Sequence, residues 1–237
     1  MAPDSPPFRH LLACAVAIPV IYFGMQLAAA PFYPGYSFFS HDASSLGSSA
    51  STAPWIFNVG ALVLGLIEFV VAVGFAAVAP YAGVGRGLAV LTALALASAG
   101  LGSVNAFLHP LPDPRHTGGL LALLGSGYAL LPVLASAVFW RLGARRLAIG
   151  NLVAFLALIP IMTGLTQRVC MWGRFNCAGY EFFLNHGHGL IQRIAAAVIF
   201  VPVAIIGYRL RRLAPAGTRP TAHADPDRWS NDQTLPT

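Results

Sequence analysis

The chain has 237 residues, 57% of them hydrophobic and 9% charged, with a mean hydropathy of +0.68. That balance excludes a soluble globular protein and leaves an all-α, polytopic bundle of transmembrane helices. The net charge of +6 comes from fourteen basic residues, all arginine, against eight acidic ones; the arginines cluster beside apolar runs, where they set membrane orientation, so they give no sign of nucleic-acid binding.

In chain order, residues 1–10 form a short Pro-containing head. Residues 11–30 are an apolar run about 30 Å long as a helix, enough to span once. Ala28-Ala29-Ala30 also suits a signal peptidase, although signal h-regions are shorter than this run. The polar segment 33–55, rich in Ser and Gly and without Arg, leads to a second span at 56–79, which Pro80 ends. A tight turn at Gly83 to Arg86 opens a third span at 87–108. A stiff Pro-rich loop then precedes a fourth at 118–140. Arg141, Arg145 and Arg146 separate this from a fifth at 147–166, and a second long polar segment precedes the sixth at 189–208. The tail from 213 to 237 lacks apolar periodicity and is expected to be disordered.

Six spans with both termini cytoplasmic place ten of the fourteen arginines on one side, which fixes the expected orientation in a bacterial inner membrane. The lipid bilayer is the one partner the sequence names. Under this orientation His41, His109, His116, His186 and His188 fall on the outer side, with Asp42, Asp113 and Glu181 near them. Three outer segments thus each bring histidine and carboxylate together. This marks His109, His116, His186 and His188 as candidate metal ligands, zinc being the metal imidazole suits, with Asp42 or Asp113 as ligand or base. His186 and His188 are two apart, so both can join one site only where the chain is irregular.

Helical spacing adds binding candidates. Ser98, Gly102, Asn105 and His109 form one polar stripe on the third span, and Asn58, Ala61, Gly65 and Glu68 another on the second. Glu68 lies about 15 Å below Asn58, near mid-bilayer, where an unpaired carboxylate is costly. Arg193, one turn into the last span, either snorkels outward or pairs with Asp42, Asp113 or Glu181, which would tie the loops to the bundle. Cys170 and Cys177 are close enough to close a small disulfide loop on the outer side, and Cys14 is a buried small hydrophobe.

The runs YPGYSFFSHDASSLG, APWIFNVGALVLG, NAFLHPLPDPRHTGGLLALL and HGLIQRIAAAVIF resemble the membrane family catalogued as domain of unknown function 998. The cues are Tyr33, Pro34, Phe57, Asn58, Gly60, Pro112, Asp113, His116, Gly189, Leu190 and Arg193. The resemblance implies a membrane fold from about Leu11 to Arg212 and no reaction. A more distant similarity, to seven-span intramembrane hydrolases with Ser, Asp and His zinc sites, meets only six spans here and no His-x-x-x-His in the last.

Three functions therefore stand open. One is a protein that binds a lipid head group or small ligand at a polar outer face. The second is a metal-dependent hydrolase of a lipid-like substrate, and the third a proton-coupled transporter using Glu68.

Overall fold

The computed structural model describes residues 8–162 and 186–213, and all regular structure among them is helical. Five helices are long and apolar enough to cross a membrane: α1 (Arg9–Phe32), α2 (Trp55–Ala82), α3 (Arg86–Leu108), α4 (Leu120–Arg141) and, after α5 (Arg145–Met162), α6 (His188–Leu213). Helix α5 has 18 residues as described. The tail at 214–237, the end of the expected fifth span and the Cys170–Cys177 pair lie outside the described residues.

Local chemistry explains the helix ends. Pro19 stands just after α1 passes from a 3-10 start over Arg9–Val16 into the α-helix that begins at Ala17, so its missing N–H falls next to a change of hydrogen-bond register. Helix α2 closes in the 3-10 turn Ala79–Ala82, and Gly83 takes the left-handed conformation (φ +83°) that lets Val84 N–H return to Ala79 O.

Helix α1 packs between α2 and α6, α2 against α3, α3 against α4, and α4 against α6, so five helices form a closed ring with α5 outside it against α4 and α6. The polarity of α2 is that of a helix in lipid. Val59, Val63, Leu66, Val70 and Val73 form its exposed face, while Ala61, Gly65, Glu68 and Ala72 are buried. Cys14 packs against the core and is a free thiol.

The ring has two distinct ends. Segment 33–54, the α3–α4 loop and the start of α6 share one, the loop end, because Leu190 N–H donates to Phe39 O (3.0 Å). The start of α1 and the end of α6 share the other, the arginine end, where Arg9 Nε donates to Arg211 O (2.6 Å). There Arg145 lies over Trp140 and Arg212 over Tyr208, at 5.3 and 4.5 Å from the ring centres.

Candidate functional site

At the loop end, α6 is fastened to the first polar segment. Gly189 lets the chains meet: a Cβ there would lie 2.7 Å from Phe38 O. One turn on, Arg193 Nη1 donates to Phe38 O (3.0 Å), His41 O (3.1 Å) and Gly189 O (2.6 Å), and Nη2 donates to the Tyr36 hydroxyl. The guanidinium lies over the Phe38 and Tyr36 rings, 4.9 and 5.8 Å from their centres. Its Nε is buried and has no partner among the described residues. Beside it, Gln192 Oε1 accepts Ala43 N–H (2.6 Å).

Tyr36 organises the loop side. Burial raises its phenol above the ordinary value while Arg193 pulls the other way, so the neutral hydroxyl both accepts from Arg193 and donates to Asp42 O (3.2 Å). Its ring stacks on His41 at 5.5 Å, and His41 Nδ1 accepts Ser37 N–H (3.1 Å), which leaves the proton of a neutral imidazole on Nε2. The Asp42 side chain is exposed. Asn58, at the top of α2, donates to Gly47 O (3.1 Å) and anchors the far end of the segment.

Helix α1 packs against α6 below this junction. Tyr22 lies beside Gln26 and within electrostatic reach of Arg193, Tyr36 and Tyr128. Gln26 is 1% exposed; its Nε2 donates to Tyr22 O (2.8 Å), but its Oε1 has no partner among the described residues. An unpartnered donor on Arg193 and an unpartnered acceptor on Gln26 are thus both buried in the neighbourhood of the half-buried Tyr22. Each is a cost that a bound polar group would remove.

A second group surrounds the α3–α4 loop. Arg115 grips Asp113 with Nε and Nη2 (3.0 and 2.7 Å) and with its backbone N–H (2.8 Å), which holds the Asp113 carboxyl down at about 2. His109 Nδ1 is 3.6 Å from Asp113 Oδ2, too far for a hydrogen bond, and His116 Nδ1 donates to His109 O (2.8 Å). Asn105 closes the loop by donating to His116 O (2.9 Å) and Arg115 O (3.3 Å).

The hydrogen bonds thus build two groups: His41 with Tyr36 and Arg193, and His109 with Asp113, Arg115, His116 and Asn105. His186 and His188 are exposed at the start of α6. Among the described residues no three His, Cys, Asp or Glu side chains form a group able to hold a metal ion. Among the described residues Arg193 pairs with neither Asp42 nor Asp113. Asp113 is taken by Arg115, two residues away, and the Asp42 side chain points to solvent, so the guanidinium turns to carbonyls and a phenol instead; Glu181 lies outside the described residues.

The family model described as a protein of unknown function, DUF998, matches residues 15–209, well over half of the chain. The chain belongs to the DUF998 family. Comparison with curated proteins and with solved structures returned no match.

The DUF998 match takes in the whole loop end, from Tyr22 to Arg193, and so embraces residues that sequence patterning passed over. Tyr22 and Gln26 are one turn apart and are the polar side chains of an otherwise apolar run, a signal that was available in the sequence. Tyr36 had no such signal, because a tyrosine at a membrane interface is ordinary.

Proposed function

We propose that this DUF998 protein is a membrane-embedded binding protein whose loop-end site, formed by Tyr22, Gln26, Tyr36 and Arg193, receives an anionic group at the extracytoplasmic surface. The group is the phosphate of a lipid head group or a small free anion. The observation that carries this reading is the state of Arg193. Among the described residues its charge meets only neutral oxygens, its rotamer is held by three carbonyls and two rings, and its Nε–H is left over. A guanidinium held in advance in this way binds an anion at little ordering cost. The arginine asymmetry supports the extracytoplasmic placement.

The test is binding of a short-chain anionic phospholipid, its zwitterionic counterpart and inorganic phosphate to the protein in nanodiscs. Preference for the anionic lipid without response to phosphate identifies a head-group site; binding of both identifies a general anion site. Arg193→Gln should weaken binding by about tenfold or more. Gln26→Leu leaves the loop contacts of Arg193 in place and should weaken it by about threefold or more. Equal binding by wild type and both variants overturns the proposal.

A further inference from the structure

At the arginine end the turn between α2 and α3 meets the end of α4. Gly85 presents bare backbone there, and the Arg141 guanidinium lies against it: a Cβ added at Gly85 would be 3.4 Å from Nη2. Arg86 follows Gly85 directly. The short turn 142–144, with Gly143 in the left-handed conformation (φ +72°), sets Arg145 and Arg146 just beyond Arg141. Exposed guanidiniums of two separate turns therefore gather at one junction.

The chain around them supplies no opposite charge. Among the described residues the arginine end has no carboxylate, since Asp42 and Asp113 stand at the loop end and Glu68 lies midway along α2. Arg86, Arg141, Arg145 and Arg146 make no hydrogen bond or ion pair among the described residues; Arg145 meets the Trp140 ring instead. Positive charge beside span ends is enough to set orientation and does not require arginines of separate turns to converge. Convergence sums their fields at one place, where an anion gains most.

The flanks of the junction suit a lipid better than a soluble anion. Trp140 is exposed beside Arg145, as an aromatic ring is at head-group level. One turn along α3 from Arg86, Val90 and Leu91 are exposed apolar side chains. A phosphate drawn to the guanidiniums thus leaves its acyl chains along an apolar helix face.

We propose that this junction is a docking surface for an anionic phospholipid of the surrounding leaflet, with Arg86 and Arg141 taking the head-group phosphate between the two turns and Arg145 and Arg146 adding charge beside it. The surface is at the opposite end of the ring from the loop-end site and needs nothing from Arg193.

Trp140 makes the surface readable. The chain has four tryptophans, and Trp55→Phe, Trp172→Phe and Trp229→Phe leave Trp140 as the sole indole. This protein is placed in phosphatidylcholine vesicles containing equal proportions of either dibrominated phosphatidylglycerol or dibrominated phosphatidylcholine, whose bromines quench an indole they touch. The expected result is a relative association about threefold or more higher for the anionic lipid, reduced to about one in the Arg86→Gln, Arg141→Gln double variant and unchanged in Arg193→Gln. The double variant keeps Arg145 over Trp140, so a loss is not a change at the ring. Should these substitutions prevent folding, spin-labelled phosphatidylglycerol in vesicles of wild type and of Arg141→Gln reports the same contact through a smaller motionally restricted fraction in the variant. Equal quenching by the two lipids overturns the proposal. A preference, or a restricted fraction, that persists undiminished without Arg141 overturns it equally.

Discussion

Gly65 of α2 and Gly100 of α3 face each other so closely that a Cβ added at Gly65 would lie 2.8 Å from Gly100 O and 2.9 Å from Val104 Cγ2. The reverse addition, at Gly100, would meet Gly65 O at 3.0 Å. In lipid, where apolar side chains gain little from leaving one apolar medium for another, such backbone approach is what holds helices together.

Gly65→Ala is therefore expected to destabilise the bundle by about 1–3 kcal/mol, since the atom in the way is backbone and cannot rotate aside. Gly150→Ala on α5, whose new Cβ would meet nothing within 4 Å, is the control for helix propensity and should stabilise by about 0.5–1 kcal/mol. Denaturant unfolding in bicelles checks both. An equal effect of the two substitutions would show that helix propensity, and not the α2–α3 contact, decides.

The α3–α4 loop should weaken only in acid. Asp113 is held at about 2, below the ordinary carboxyl value of about 3.9, so its pairing with Arg115 is fully present above about pH 4 and is lost as the pH falls towards about 2. The Arg115 N–H, which donates to Asp113 Oδ1, reports on it. Amide exchange at Arg115 should be faster in Asp113→Asn than in wild type at neutral pH, and the two should converge in strong acid.

Topology is open to reporter fusions. With the arginine end cytoplasmic, a reporter active outside the cytoplasm should work when fused after Ser45 and be silent after Arg146. Activity after Arg146 with silence after Ser45 would invert the molecule and move the loop-end site to the cytoplasmic face.

Much of the site was legible in part. The spacing of Asn58, Gly65 and Glu68 puts them on one small and polar face of α2; Gly65 and Glu68 are buried there and Asn58 is half-buried. The stripe on α3 likewise packs inward: Ser98 Oγ donates to Leu124 O, Gly102 lies against Gly125, and Asn105 holds the loop. Arg193 was legible as a residue that ties the loops to the bundle but not in its partners. A neighbouring carboxylate is the expected mate of a membrane arginine, and carbonyl direction in an irregular loop leaves no trace in residue type.

What the sequence by itself determined is therefore what depends on residue type and local spacing. Apolar runs long enough to cross a bilayer, inward polar stripes and arginines on one set of turns follow from partition between lipid and water, which acts residue by residue. The tertiary structure alone decided which groups meet: Arg193 with the carbonyls of Phe38 and His41, over 150 positions away, and Gln192 with the Ala43 N–H. These pairings depend on how the first polar segment and α6 lie against each other and on the close approach at Gly189. A hydrogen bond requires its atoms within about 3 Å, a condition that only the packed bundle can set.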